Sequence, residues 1–401
     1  MFILRRSFIR RFPRIVKALR HFSESQSQTG SRRTVLVRNL PHGYDIGNVL
    51  GTIKANPVEA VIPGDDQLTV RFLSEPLARK CVNRGGGGGA GLGWSLTLDE
   101  ETSPKLSAYV VAAIGYSRLS RWITLKNLPQ DLRQEDLRTH IIPRQVEYSR
   151  FDPRERQTQI GFLDIWQALR VRQQIFRHSY FEGVGLSFDQ RDEDEYLFPD
   201  WYPPEDVNQR NVERAIRISN VTSFDMDRTV RSWVREFEDS GAHHTLFYSL
   251  YPKKNLVKIV FTTSLSAREF IIRCMSAAEG INAQLLLRPQ RGPLSLSKIT
   301  AADLGASLAL GIRLHHNQRR SLPEYHEAFN YSGDLKISEE FREDHSHGWV
   351  LLTFNSVNNA MRCMAGFERD EKHIEFEGAE MNFIGARHLA PFIKKYKRQG
   401  L

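Results

Sequence analysis

The residues able to do chemistry are few, and most cannot do it together. Histidines come close in sequence three times, as His243-His244, His315-His316 and His345-x-His347. No cysteine or well-spaced carboxylate joins them, and adjacent side chains do not easily face one metal, so the sequence predicts no metal site. The three cysteines, Cys81, Cys274 and Cys363, are scattered and make no disulfide framework. Cys81 and Cys363 read as small buried apolar side chains. Gly85 to Gly89, with Gly91 and Gly93, invite a phosphate loop, which needs Gly-x-x-x-x-Gly-Lys-Ser/Thr between a strand and a helix. Trp94 follows instead, with no lysine, so a flexible turn is expected. No Ser-His-Asp or Cys-His set and no paired carboxylates stand out. The sequence predicts neither an enzyme nor a cofactor.

What remains is charge. Over 401 residues the formal net charge is +9, which invites a nucleic-acid partner. Much of it sits at the start. Residues 1–22 hold Arg5, Arg6, Arg10, Arg11, Arg14, Lys17 and Arg20 and no acid before Glu24. Phe2, Ile3, Phe8, Ile9, Phe12, Ile15 and Leu19 recur between them at roughly helical spacing. A basic, acid-free amphipathic N-terminus is the composition of a mitochondrial import signal. Arg20-His21-Phe22-Ser23 resembles a matrix-processing pattern, with the cut expected after Phe22. Losing these seven charges from +9 leaves about +2. Any nucleic-acid argument must then come from local motifs, such as the arginines Arg118, Arg121, Arg133, Arg138, Arg144, Arg150, Arg154 and Arg156. The alternative is an uncut basic arm on a nuclear or cytosolic protein. No apolar run reaches transmembrane length.

The elements that would hold such motifs form a repeat. Thr34-Val35-Leu36-Val37-Arg38-Asn39-Leu40-Pro41 returns as Trp122-Ile123-Thr124-Leu125-Lys126-Asn127-Leu128-Pro129, and more loosely as Ala215 to Val221. Downstream of each comes an apolar strand ending in Phe72, Phe162, Phe261 or Phe354, with Ala78, Ala168, Ala267 or Ala360 six residues later. A small alanine there reads as the inward position of a helix lying close on the sheet. The period is a whole small domain, so the repeat is beads rather than a solenoid. The intervening elements (helix 45–55, strands 58–63 and 67–73, helix 75–84 and strand 94–98 in the first block) fit β-α-β-β-α-β, an α+β, ferredoxin-like order. In the second block, a helix over 131–142 starts from Asp131 as N-cap. The expected organisation is a targeting segment 1–22, domains at 32–100, 119–190 and 213–290, an acidic, aromatic, Pro-rich linker 191–212, and a divergent fourth domain at 304–390.

Leu36 to Leu40 and Thr124 to Leu128 resemble the first-strand signature of RNA recognition motif (RRM) domains, and the strands ending in the four phenylalanines resemble the third-strand signature. The whole chain resembles a fungal-type mitochondrial protein with several divergent RRMs. In the fourth block, Ser307 to Ile312 lacks the asparagine. The family binds single-stranded RNA on its open sheet face, where aromatics stack on bases and polar side chains read edges and phosphates. Strand alternation turns Arg38, Gln67, Thr69, Arg71, Lys126, Gln157, Gln159, Arg217, Lys258, Trp349 and Leu351 outward. The resemblance therefore implies Arg38, Asn39, Gln67, Arg71, Lys126, Asn127, Gln157, Gln159, Arg217, Lys258 and Trp349 as RNA-binding residues. Asn39 and Asn127 are more often strand-end turn formers than ligands. The usual stacking aromatics are missing from the first three blocks, and only Trp349 occupies such a place.

Tyr196, Leu197, Phe198, Trp201 and Tyr202 are too many large apolar side chains for a merely solvated linker. Phe198 and Trp201 are expected to lie against the second or third domain, or to dock on a partner. The reading is a non-catalytic protein that binds single-stranded RNA and acts on mitochondrial transcripts. The alternative is a scaffold of a mitochondrial ribonucleoprotein or ribosome-associated complex.

Overall fold

The computed structural model describes residues 31–53, 57–88, 93–133, 135–137, 146–177, 179–188, 214–221, 226–240, 244–277, 280–286, 296–330, 335–341, 347–369, 376 and 379–384. The import segment and the linker aromatics lie outside these residues. Four antiparallel four-stranded sheets account for all the strands described. Domain 1 is β1 (Thr34–Arg38), α1 (Ile46–Ile53), β2 (Val58–Pro63), β3 (Gln67–Phe72), α2 (Glu75–Gly88) and β4 (Ser95–Leu98). Helix α3 (Ala108–Ser117) follows. Domain 2 has β5 (Trp122–Lys126), β6 (Val146–Asp152), β7 (Gln157–Phe162), α4 (Ile165–Arg177) and β8 (Gly185–Phe188). Domain 3 has β9 (Ala215–Ser219), α5 (Met226–Asp239), β10 (Thr245–Tyr251), β11 (Leu256–Phe261), α6 (Ser264–Ala277) and β12 (Asn282–Leu285). Then come α7 (Leu296–Asp303) and domain 4: β13 (Ala309–His315), α8 (Leu322–Phe329), β14 (Lys336–Phe341), β15 (His347–Thr353), α9 (Val357–Arg369) and β16 (Glu380–Phe383).

Every sheet runs second-third-first-fourth, as β2-β3-β1-β4 does, which is the split βαβ arrangement. Period-two alternation drives it: Val35, Val37, Leu68 and Val70 are fully buried in domain 1, as are Ile123, Leu125 and Ile160 in domain 2. Phe72, Phe162, Phe261 and Phe354 are at most 1% exposed, over four fully buried alanines. Each phenylalanine N–H donates to the carbonyl of the residue just before the first strand (Arg33, Arg121, Arg214 and Leu308) at 2.8 to 3.0 Å. Asn39, Asn127 and Asn220 end their strands at φ of 63°, 57° and 62°. Asparagine tolerates that left-handed conformation better than other side chains do, which explains its recurrence.

The domains fall into two units, one holding domains 1 and 2, the other domains 3 and 4 with residues 108–119. The units repeat one docking arrangement. In the first, the Val61 N–H donates to Leu163 O at 2.7 Å, and Ala60 bridges to Asp164. In the second, the Tyr248 N–H donates to Asn355 O at 2.8 Å, and Phe247 bridges to Ser356. Helices α4 and α9, N-capped by Asp164 (2.7 Å) and Ser356 (3.1 Å), pack on β2 and β10. Each unit thereby covers part of an edge strand that would otherwise offer unpaired backbone groups.

Helix α3 belongs to the second unit, against α7 and α9. Its Val110 to Ile114 are at most 4% exposed. A Cβ on Gly115 would lie 2.2 Å from Met361 Sδ and 2.7 Å from Ala301 Cβ. The stretch between the first two domains is therefore core, not linker.

Three local expectations change. Only part of the glycine run is a turn: α2 continues through Gly85 to Gly88, Gly89 and Gly91 lie outside the described residues, and Gly93 sits in a turn at φ 73°. Glycine costs about 1 kcal/mol relative to alanine in a helix, so the well-packed turns around Ala78 and Cys81 carry it. Asp131 lies in a turn, where its carboxylate accepts from the Tyr180 hydroxyl at 3.1 Å. Arg121 is 3% exposed and pairs with Glu147 at 2.8 Å, so it is not a phosphate contact.

Candidate nucleic-acid interface

With helices on one side, each sheet leaves a second face to carry function. The register fixes its rows. In domain 3 the middle row runs Ser249, Lys258, Arg217, Gln284. Arg217 is exposed and sits directly opposite Lys258. Like charges opposed across a ladder are destabilising, yet neither has an ion pair among the described residues. Phe247 and Tyr251 stand on β10, two residues either side of Ser249, on the same face. Lys258 Nζ lies 6.0 Å from the Phe247 ring centroid, and Tyr251 is 41% exposed. The sequence reading places stacking aromatics only on the central strands and misses these rings; the alternation in Thr245-Leu246-Phe247-Tyr248-Ser249-Leu250-Tyr251 is the signal that finds them.

Domain 1 presents Ile62, Thr69, Leu36 and Thr97 in one row and Gln67, Arg38 and Ser95 in the next. Arg38 and Gln67 are exposed. Arg71 is half-buried, 3.9 Å from Glu59, so part of its charge is already answered. Thr34 Oγ1 meets Ser103 Oγ at 2.8 Å, which closes that end of the face.

In domain 2 the middle row is Arg150, Gln159, Thr124 and Ser187, with Lys126 exposed at the end of β5. Gln157 lies beside Asp152. Trp122, also missed, is on this face but only 7% exposed; its ring lies 5.6 Å from that of Tyr148. Gly161 makes room for it: a Cβ there would meet the indole at 2.6 Å.

Domain 4 differs. Ala309, Leu351 and Ile384 form a buried apolar cluster on the equivalent face. Gly311 floors it, since a Cβ would meet Ile384 Cδ1 at 2.2 Å and the Trp349 ring at 3.3 Å. Trp349 is half-buried opposite Arg313, whose Nη1 lies 3.8 Å from Glu380. Beyond them the pair His315 and His347 extends the ladder. Burial, then His315 and Arg313, push the His347 imidazole below its usual pKa.

Buried charges elsewhere are structural. Arg33 donates to Glu59 and, at 2.9 Å, to Phe72 O; Arg121 does the same with Glu147 and Phe162 O. At Arg214, 3% exposed, Nε and Nη1 have no partner among the described residues, because Leu246 stands where the bulged strands of domains 1 and 2 carry Glu59 and Glu147. Burial pushes Asp227 up, but Arg231, the Tyr248 hydroxyl and Lys336 outweigh it and hold the carboxyl low. Burial raises the Cys81, Cys274 and Cys363 thiols to about 12, so they stay protonated. Asn39 and Asn127 are exposed at the strand ends, beside rather than on the faces. No group of three or more metal-ligating side chains occurs among the described residues, and no described helix is long and apolar enough to cross a membrane.

No family model matches the sequence, and no curated protein matches it. Solved structures do. The N-terminal three RNA-binding domains of a yeast splicing factor match at 17% identity, over 65% of this chain and 100% of that one, with a TM-score of 0.20. RNA recognition domains 1 and 2 of Sex-lethal from Drosophila melanogaster match at 11% identity, over 39% and 99%, with a TM-score of 0.16. The C. elegans NONO-1 homodimer matches at 13% identity, over 54% and 86%, with a TM-score of 0.18. At such scores these likenesses carry no argument, and the tandem ferredoxin-like fold rests on strand order and register.

Proposed function

We propose that the chain binds single-stranded RNA through the open faces of its tandem RRM-like domains, without catalysis, and acts on transcripts of the mitochondrial matrix. The observation that carries this is the Lys258–Arg217 row of domain 3. Two opposed cations without a carboxylate cost stability unless a polyanion answers them. Phe247 and Tyr251 flank the row with rings on which bases can stack, and Ser249 and Gln284 offer hydrogen bonds. Arg38 and Gln67 in domain 1 and Lys126 and Arg150 in domain 2 supply weaker copies. Tandem linkage raises the effective concentration of each weak face. The basic, acid-free N-terminus supports the location, and a reporter fused to residues 1–35 that stays cytosolic and uncut overturns that part.

The binding test uses the full chain and a mixed-sequence single-stranded RNA at several salt concentrations. Replacing Arg217→Glu and Lys258→Glu together is expected to weaken binding at least tenfold. The log–log salt slope should fall by about 0.7 for each phosphate that the protein no longer neutralises. Adding Arg38→Glu and Lys126→Glu should deepen both effects. Unchanged affinity and slope in the quadruple variant favour the scaffold reading, in which the faces bind protein. That second reading has its own support in the apolar Ala309, Leu351 and Ile384 cluster and in Ile62, 49% exposed on the domain 1 face.

A further inference from the structure

His315 comes from one of the histidine groups in the sequence and His347 from another. The adjacent pair His315-His316 does not hold a metal by itself, because neighbouring side chains of an extended chain point to opposite faces. The β13–β15 register sets His315 directly opposite His347, and on the face shared with Arg313 and Trp349 the two imidazoles meet. Their Nε2 atoms are 3.2 Å apart, and their ring centroids 3.9 Å apart at 43°. The nitrogens are closer than the ring centres, so the two Nε2 edges face each other. The two nitrogens are also within hydrogen-bonding distance, so the proton they share must leave before both can ligate one ion. Two nitrogens bound to one tetrahedral zinc at about 2.0–2.1 Å stand about 3.4 Å apart. Seating an ion asks the rings to open further, with the nitrogen spacing nearly kept.

We propose that His315 and His347 form a binding site for a borderline divalent transition metal, with zinc or copper(II) the ions whose chemistry suits two neutral imidazoles. No third ligating side chain completes the set among the described residues, so the ion keeps water on its other positions, and binding is moderate rather than structural in strength. The electrostatics are mixed. Arg313 opposes a dication and Glu380, 3.8 Å from it, offsets that; His316 is also close enough to act on His347. A bound ion would cross-link the two central strands of domain 4 beside Trp349. The site is independent of RNA binding by domain 3, and its failure leaves that reading untouched.

The test titrates zinc chloride into the full chain at pH 7.5 against a chromophoric chelator, with copper(II) as a second probe. His315→Ala and His347→Ala are each expected to lose one bound equivalent, or to weaken it at least tenfold. His316→Ala is the control and should retain it. Circular dichroism confirms that the variants fold; both side chains are at least partly exposed, so the substitutions leave no core cavity. Zinc binding that is identical in wild type and His347→Ala, that survives His315→Ala, or that is absent at a tenfold excess of zinc over protein overturns the proposal.

Discussion

Domains 3 and 4 share a strand order and a unit, yet their open faces are built in opposite ways. Domain 3 opposes Arg217 to Lys258 with no ion pair to either among the described residues and sets exposed Tyr251 beside them. Domain 4 answers Arg313 with Glu380 and packs Leu351, which stands where domain 3 has Lys258, into a buried cluster with Ala309 and Ile384. The difference lies in a few outward positions: Gly311 and Leu351 stand where domain 3 has Arg217 and Lys258. The inward residues that make the fold are equivalent in both, so fold and face vary independently. A shared fold is no evidence of a shared ligand.

The largest expected effect comes from removing what the two domains have in common. Phe261 is fully buried, with Phe237 and Phe270 at ring distances of 5.7 and 5.1 Å. Phe261→Ala leaves a cavity beside those two rings and should cost ~3–5 kcal/mol by chemical denaturation. RNA affinity should fall with it, because the β11 strand that ends at Phe261 presents Lys258. A loss below about 1 kcal/mol would mean the cluster does not organise the sheet.

The next effect separates the faces without touching the core. Tyr251→Ala removes an exposed ring and should leave stability within about 0.5 kcal/mol. If the ring stacks on a base, RNA binding should weaken by about 1–3 kcal/mol. Trp349→Ala should do the reverse, costing stability more than affinity, because that indole packs over Gly311. Equal effects of the two substitutions on RNA binding would erase the contrast between the domains.

Inward residues were legible because they obey local rules. Alternation, the terminal phenylalanine and the alanine six residues on mark a half-buried strand under a helix, and the same pattern assigns Arg38, Lys126, Arg217 and Lys258 to the open faces. Other features were not legible. Helix α3 is buried all round, so it shows no amphipathic period, and the sequence repeat assigns Ala108 to Ser117 to no element. Trp122 lies at the very start of its strand, where the face is open only because Gly161 opposes it. Arg121 counted as one surface cation among eight; burial and the bulge position of Glu147 depend on pairing across 26 residues. His315 and His347 belong to the same class, since their meeting depends on the β13–β15 register and not on spacing in the chain.

The smallest expected effect tests whether charge compensation is what silences domain 4. Arg313 and Glu380 are neighbours across β13 and β16, both partly exposed, at 3.8 Å. A pair so placed is worth about 0.2–1 kcal/mol, so Glu380→Gln should change stability by less than that. The substitution deletes a negative charge from the face and leaves the Arg313 guanidinium without its carboxylate. Both changes favour phosphate, so RNA affinity should rise by a small factor, roughly two- to fivefold at low salt, and the gain should shrink as salt screens it. In domain 3 the converse change, Gln284→Glu, places a carboxylate at the end of the Lys258–Arg217 row, directly opposite Arg217. It should lower affinity by a similar factor while relieving the repulsion between the two cations, so stability should hold or rise slightly. Opposite signs in the two domains mean that compensation sets which face meets RNA. The same sign in both would place the difference in the apolar cluster of Ala309, Leu351 and Ile384, which no change of charge would open.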